Sequence, residues 1–104
     1  MRVIWDPQAI EARQQIADYI RRRFSTKRKI RYLQEVREMT KMLKRHPGIG
    51  LIDPLYADRS KTYRSVIING LSKMVYFVED DIIYIAAFWD CRQEPEKQAA
   101  QTEM

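Results

Sequence analysis

The hydrophobic positions of the chain follow two different spacings. Between residues 7 and 46 they recur every three to four residues, as on one face of an α-helix. After residue 60, runs of β-branched and aromatic residues are separated by short turns, as in antiparallel strands. The pattern predicts a strand, a helical hairpin and three further strands, at roughly 2–5, 7–24, 26–46, 62–68, 71–78 and 82–89.

Residues that favour helix ends bound the two predicted helices. Asp6 can accept hydrogen bonds from the first free amides, and Pro7 suits the first helical position because it has no N–H to leave unpaired. Ser25-Thr26 provides a break and a second cap, whereas His46-Pro47-Gly48 stops the second helix. The very short connection between the helices predicts an antiparallel hairpin, and residues 48–61 are predicted to form a loop.

The strands after residue 60 are joined by tight turns. Asn69-Gly70 is the strongest short hairpin signal, because both turn residues must adopt positive φ. A two-residue turn there pairs Ile68 with Leu71 and places Arg64 on the same sheet face as Lys73, since side chains alternate along a strand. Together the elements predict an α+β fold in which the helical hairpin packs on one face of a small, mainly antiparallel sheet.

The same alternation divides the strand residues into a charged and an uncharged face. The charged face holds Arg64 and Lys73, and a two-residue turn at Asp80-Asp81 would add Asp90 and Arg92, whereas a three-residue turn would flip them. Three cations on an open sheet face, Arg64, Lys73 and Arg92, form an anion site suited to phosphate; the alternative is ordinary solvated side chains. The uncharged face is predicted to pack on the helices and comprises Tyr63, Ser65, Ile67, Ser72, Met74, Tyr76 and Val78.

The charged face also carries more contiguous apolar surface than a soluble monomer usually exposes. A cover is therefore expected, and three are open: the segment after Arg92, a second copy of the chain, or a partner protein. The apolar residues concerned are Val66, Ile68, Leu71, Val75 and Phe77.

Charge is distributed unevenly over a chain whose formal net charge is +5. Residues 1–47 hold 13 Lys and Arg against 5 Asp and Glu, whereas residues 48–104 hold 6 against 9. A basic half suggests a polyanionic or acidic partner; the alternative is solubilising charge on long exposed helices. The same two interpretations apply to the run Arg21-Arg22-Arg23 with Lys27-Arg28-Lys29.

Several classes of protein are disfavoured by what the sequence lacks. A single cysteine, Cys91, excludes an internal disulfide, and no paired zinc-ligand spacing is present, so neither metal nor cofactor is expected. No apolar run approaches the roughly 20 residues of a membrane helix, and residues 1–6 do not resemble a signal peptide. A cytoplasmic protein without a membrane partner is predicted.

Motifs in a fixed order resemble the RelE/ParE superfamily of toxins over nearly the whole chain. Each motif alone is loose, but their order and spacing together are specific. The resemblance rests on the opening V-I-W-D-P-Q-A at 3–9, H-P-G-I-G at 46–50, Y-R-S-V at 63–66, K-M-V-Y-F-V at 73–78, D-D-I-I-Y-I at 80–85 and F-W-D-C-R-Q-E-P at 88–95.

The resemblance implies a β-α-α-β-β-β domain over 1–95, followed by a polar tail at 96–104. It also implies the toxin of a type II toxin–antitoxin (addiction or plasmid stabilisation) module, which a cognate antitoxin holds inactive. RelE-like members cut messenger RNA on the ribosome without metal, and Arg64, Lys73 and Arg92 fall at positions that are basic in such members. ParE-like members poison DNA gyrase and are not nucleases. Three alternatives therefore stay open: cleavage of messenger RNA, action on gyrase, and an inactive relative that only binds a partner.

Overall fold

The fold is an α-helical hairpin packed on one face of a five-stranded sheet, which confirms the predicted α+β class. The computed structural model describes residues 1–91 together with Ala99 and Thr102. Among these residues, no helix is both long enough and apolar enough to span a bilayer. The elements are β1 (Arg2–Trp5), α1 (Pro7–Arg23), α2 (Thr26–Arg45), β2 (Leu51–Ile52), a 3-10 turn (Pro54–Tyr56), β3 (Arg64–Ile68), β4 (Ser72–Glu79) and β5 (Ile82–Asp90).

Both helices begin at the capping residues that the sequence predicts. The Asp6 carboxylate accepts a hydrogen bond of 2.8 Å from the Gln8 N–H, and the Ser25 hydroxyl accepts one of 3.1 Å from the Arg28 N–H. Each cap satisfies an amide that has no partner inside its own helix. By contrast, β2 and the 3-10 turn lie within residues 48–61, where only a loop was predicted.

The sheet has the strand order β1-β5-β4-β3-β2, with β1 parallel to β5 and the other neighbours antiparallel. Its helix-facing side forms the main core with α1 and α2. Within this core the Tyr32 and Ser72 hydroxyls lie 2.8 Å apart, and burial raises the pKa of Tyr32 to about 12. The buried members are Ala9, Ile16, Ile20, Tyr32, Val36, Leu43, Ile68, Met74, Tyr76, Ile83, Ile85 and Phe88.

The connection between β3 and β4 is one residue longer than predicted. Asn69 and Gly70 do form the expected turn, with φ of 55° and 65°, and the Leu71 N–H donates to the Ile68 carbonyl at 3.0 Å. However, Ile68 pairs with Ser72 instead of Leu71, which leaves Leu71 as an extra residue. A one-residue shift turns every side chain of a strand to the opposite face.

The predicted faces are therefore right for β4 and wrong for β3 and for Leu71, which packs against the helix-side core. Lys73 lies on the side away from the helices, as predicted, whereas Arg64 pairs with Tyr76 and lies on the helix side. The prediction that Arg64 and Lys73 share a face is wrong. Val66 and Ile68 move with Arg64 to the helix side, while Tyr63, Ser65 and Ile67 lie on the other.

A second irregularity changes the faces along β5. Asp80-Asp81 is the predicted two-residue turn, with φ of 53° and 62°. Further along, Tyr76 pairs with Ile85 but Val75 pairs with Ala87, so Ala86 is an extra residue in a β-bulge. Beyond the bulge the sides exchange. Asp90 consequently pairs with Ser72 on the helix side, and its predicted place beside Lys73 is wrong.

The turn between α2 and β2 is fastened to the sheet from the helix side. The Tyr76 hydroxyl accepts from the Gly50 N–H at 3.0 Å and donates to the Pro47 carbonyl at 2.6 Å. The Arg64 guanidinium donates to the Gly50 carbonyl at 2.9 Å. A Cβ atom on Gly50 would lie 2.7 Å from the Tyr76 hydroxyl and 2.9 Å from the Ser65 carbonyl, closer than such contacts allow.

We therefore expect Gly50→Ala to lower the free energy of unfolding by about 1–3 kcal/mol, because the added methyl group must displace the Tyr76 hydroxyl or the backbone of β3. Urea unfolding followed by circular dichroism measures the change. Gly48→Ala is the matched control, since a Cβ there meets nothing within 4 Å. Equal stability of the two variants would show that the turn adapts without cost.

Candidate functional site

The sheet side away from the helices is the natural place for a site, because a lysine lies at its centre. We call it the open face and define it by Lys73, Val75 and Phe77 of β4 with Ala86 and Trp89 of β5. β4 is the central strand of the sheet, so Lys73 is flanked on both sides by paired strands.

Lys73 is held in a nearly buried ion pair. Its Nζ lies 2.6 Å from Asp53 Oδ2, and the two side chains are only 16% and 2% exposed. The other Asp53 oxygen accepts from the Leu55 N–H at 3.0 Å, and Lys73 Nζ also lies 4.8 Å from the centre of the Trp89 ring. Breaking such a pair leaves a buried charge uncompensated. While the pair is intact, Lys73 offers no free charge to a phosphate.

Arg64 stabilises the turn between α2 and β2 and does not lie beside Lys73. Its guanidinium donates to the carbonyls of Gly50, at 2.9 Å, and Gly48, at 3.4 Å. The structure thus separates two residues of the predicted three-cation site, because the extra residue at Leu71 turns β3 over. Arg92, the third, lies outside the described residues. The catalytic role of the three side chains stays a prediction.

Aromatic rings continue the open face from Lys73 towards the turn that joins β4 to β5. Tyr56 and Tyr63 stack at 4.9 Å between ring centres, Tyr63 meets Phe77 at 5.3 Å, and Phe77 stacks on Tyr84 at 5.0 Å. Lys61 Nζ lies 4.4 Å from the Phe77 ring centre. Rings in edge-to-face and offset contacts bury large apolar areas, so this side is a second core rather than an open cleft.

Sequence reasoning missed Asp53 and Tyr56, although a signal was present. Asp53-Pro54 repeats the Asp-Pro pattern that predicted the start of α1. It acts in the same way, since the Asp53 carboxylate caps the 3-10 turn and Pro54 begins it. The short length of this turn hid it in a segment that was taken for a loop.

Residues of the predicted tail supply part of the expected cover. The Arg59 guanidinium donates to the carbonyls of Ala99, at 2.6 Å, and Thr102, at 3.1 Å. The hydroxyls of Tyr56 and Thr102 lie 3.0 Å apart, and Ala99 is buried in the same aromatic cluster. Ala99 and Thr102 are thus anchored beside the open face by Arg59 and Tyr56.

Neither Cys91 nor the acidic side chains that the structure describes form a second reactive site. Burial, and then the neighbouring Asp90 charge, raise the pKa of the Cys91 thiol, which disfavours the thiolate that a nucleophile requires. In the described part of the chain, no group of three or more His, Cys, Asp or Glu side chains is placed to hold a metal ion.

A groove runs between α1 and one edge of β5. β1 pairs with β5 only as far as Ile85, whose carbonyl accepts from the Asp6 N–H at 2.9 Å. Beyond Ile85, this edge of β5 has no strand neighbour among the described residues. The groove has a volume of ≈ 500 Å³. It is lined mainly by Gln8, Glu11, Ala12, Gln15 and Tyr19 of α1 and by Ala87, Trp89 and Asp90 of β5, and Thr102 of the predicted tail also borders it.

Comparisons with known proteins agree with this architecture. Residues 3–95 match the model of a family described as the ParE toxin of the type II toxin–antitoxin system parDE. No curated protein sequence matches the chain.

Solved structures extend the comparison. The chromosomal ParDE toxin–antitoxin system from P. aeruginosa includes a chain that matches with a TM-score of 0.70 and 16% identity, over 86% of this chain and 95% of that one. The YoeB dimer from Staphylococcus aureus matches with a TM-score of 0.56 and 26% identity, over 84% and 92%. The YoeB–YefM complex from Staphylococcus aureus matches with 0.56 and 25%, over 86% and 94%.

The ion pair on the open face leads to a stability prediction. Lys73→Met should lower the free energy of unfolding by about 3–5 kcal/mol, because it leaves the Asp53 carboxylate buried without its cation. Adding Asp53→Asn should restore most of the loss, since both charges are then gone. Chemical unfolding of the single and double variants measures this coupling.

The control is Lys61→Met, which removes an exposed pair with Glu79 of 3.8 Å. It should change the free energy of unfolding by less than about 1 kcal/mol. Additive effects of the two substitutions at Asp53 and Lys73 would contradict a coupled pair.

Proposed function

The chain belongs to the ParE toxin family of type II toxin–antitoxin systems, and we propose that it arrests growth by binding a target protein rather than by cutting RNA. The observation that carries the proposal is the ion pair between Lys73 and Asp53, whose atoms lie 2.6 Å apart. Cleavage of a phosphodiester needs cations free to meet developing negative charge. Here the lysine of the open face is neutralised, and Arg64 lies on the opposite side of the sheet.

DNA gyrase is the target that we propose, because ParE-like members of the superfamily act on it and are not nucleases. The toxin would work in the cytoplasm, where gyrase is found. A surface that acts by contact needs shape and charge instead of an activated nucleophile. The raised pKa of Cys91 and the aromatic filling of the open face agree with an action of this kind.

A cognate antitoxin is the second part of the proposal. The solved relatives include a ParDE toxin–antitoxin system and a YoeB–YefM complex. We assign the antitoxin to the groove between α1 and β5, because this edge of β5 has no strand neighbour beyond Ile85 among the described residues, and an extended segment can add to such an edge. The basic first half of the chain would attract acidic residues of that segment and speed their encounter.

The doubly substituted chain Asp53→Asn, Lys73→Met separates the two modes of action. A contact toxin should still arrest growth when this variant is expressed, because the fold persists without the pair. A nuclease that depends on Lys73 should lose its toxicity. Growth curves after induction measure the difference, and circular dichroism of the purified variant verifies folding.

Two assays on the purified full-length chain then identify the target. We expect inhibition of supercoiling by gyrase and intact messages in a translation extract. Message cleavage that disappears in the folded double variant Asp53→Asn, Lys73→Met and in Arg92→Ala would overturn the proposal and support the predicted three-cation site. Inactivity in both assays, together with harmless expression, would favour the inactive relative.

The antitoxin assignment predicts an effect of filling the groove. Gln15→Trp places a large side chain in it and should weaken binding of the protein encoded by the adjacent gene by about tenfold or more, a loss of roughly 1.4 kcal/mol. Gln14→Trp is the matched control, because Gln14 is exposed on α1 but does not line the groove. Isothermal titration measures both. Equal affinity of the two variants would place the antitoxin elsewhere.

A further inference from the structure

The junction of α1 and α2 concentrates positive charge that the proposed function does not use. We call it the hairpin tip and define it by Arg21, Arg22, Arg23, Lys27, Arg28 and Lys29. These residues are 6 of the 19 Lys and Arg of the chain, within nine positions. No Asp or Glu occurs between Asp18 and Glu35.

The cations of the hairpin tip have no carboxylate partner in the part of the chain that the structure describes. The ion pairs found there involve Lys and Arg at other positions, and the one nearest in sequence joins Arg31 to Glu35. Five of the six side chains are exposed, and Lys29 is half-buried. The charge is therefore available to an external anion.

Helix stability does not account for this arrangement. The three arginines in the last turn of α1 do favour the negative end of its dipole. In contrast, Lys27, Arg28 and Lys29 lie in the first turn of α2, at the positive end, where no acidic residue offsets them. Cations at that end oppose the dipole, and close like charges repel each other. The stability of the fold therefore gives no reason for these three cations, and binding of an external anion does.

The geometry of the hairpin tip suits an extended polyanion better than a single small anion. Successive helical residues are rotated by about 100°, so Arg21, Arg22 and Arg23 diverge around the tip instead of converging on one point. The Arg28 guanidinium is held 4.7 Å from the centre of the exposed Phe24 ring, which limits its freedom before binding. The first amides of α2, which have no partner within the helix, add a positive end dipole.

We propose that the hairpin tip binds the phosphate backbone of duplex nucleic acid. A duplex carries one charge per about 1.7 Å on two rigid strands, so cations that diverge from a rounded tip can meet phosphates on both sides of a groove. An anionic bilayer is disfavoured because an interfacial helix needs an apolar stripe beside its cations. From 21 to 30 the exposed large apolar residues are only Phe24 and Ile30, six positions apart, which do not form such a stripe. An acidic protein offers a sparser charge pattern.

The test is fluorescence anisotropy of a short labelled DNA duplex of arbitrary sequence with the full-length chain. The tip variant is Arg22→Gln, Arg23→Gln, Lys27→Gln. The control variant is Arg37→Gln, Lys44→Gln, Arg45→Gln, whose side chains are exposed on α2 away from the tip. Both variants lose three positive charges, so any difference between them is local and does not come from net charge.

Log affinity falls as log salt rises, and each lost phosphate contact should make this line less steep, by about 0.9 in slope. The affinity advantage of the wild-type chain over the tip variant should therefore shrink by about 40-fold between about 50 mM and 200 mM salt. The control variant should keep the wild-type slope. Urea unfolding should show the tip variant to be folded, since Lys27→Gln relieves charge at the start of α2.

Three outcomes would overturn the proposal. Equal losses in the tip and control variants would show a diffuse charge effect. Equal affinity for a single strand of the same sequence would exclude recognition of the duplex backbone. Displacement of the duplex by polyglutamate at the same concentration of negative charge would assign the hairpin tip to an acidic protein partner instead.

Discussion

A lysine on the central strand of a sheet, facing a cluster of aromatic rings, must be neutralised where it stands. Asp53 does this for Lys73, and much of the chain between α2 and β3 is arranged to deliver that carboxylate. The Asp53 N–H donates to the Tyr63 carbonyl at 2.9 Å, and its carboxylate caps the 3-10 turn. Tyr56 of that turn is then stacked on Tyr63. The ion pair thus couples the interior of the sheet to the segment that covers it.

The cover has a further layer that depends on the same turn. Arg59 follows Tyr56 closely in the chain, and its guanidinium carbon lies 5.1 Å from the Tyr56 ring centre. From there it donates to the carbonyls of Ala99 and Thr102. A disturbance at Lys73 would accordingly pass through the turn to the contacts of Arg59 with Ala99 and Thr102. A buried pair of this kind is costly to break. It therefore favours one arrangement of the sheet, of the 3-10 turn that covers it, and of Arg59 with its partners.

The helices could be predicted because their boundaries depend on local chemistry. Asp6, Pro7, Ser25 and Pro47 act on amides and dihedral angles within a few residues, so their effect can be read without knowing the fold. The caps at Asp6 and Ser25 are accordingly where the sequence places them.

Strand register was not predictable in the same way, because contacts far along the chain decide it. Asn69-Gly70 is compatible with either a two- or a three-residue connection. The observed register buries Ile68 against the helices and brings the Ser72 hydroxyl to Tyr32, 40 positions away. The alternation rule then carries the single extra residue at Leu71 through the whole of β3. This is why the predicted site placed Arg64 on the wrong face.

The charges of the molecule divide between its two layers in a way that favours action by contact. On the sheet, Lys73 is neutralised by Asp53 at 2.6 Å, and Lys61, which precedes β3, has Glu79 at 3.8 Å. On the helices, the hairpin tip is not compensated by any described carboxylate. Long-range attraction of anionic partners therefore comes from the helical layer, whose field also steers their approach.

The two proposed binding regions both include residues of α1 but use different parts of it. The groove uses residues of its N-terminal half, such as Gln8 and Gln15, beside the part of β5 that follows Ile85. The hairpin tip uses its last turn, where three arginines follow one another. A partner in the groove gains directional backbone hydrogen bonds that salt screens little, whereas a polyanion at the tip gains charge contacts that salt weakens strongly. One helix can therefore serve a specific protein partner at one end and a nucleic-acid backbone at the other, with the ionic strength separating the two.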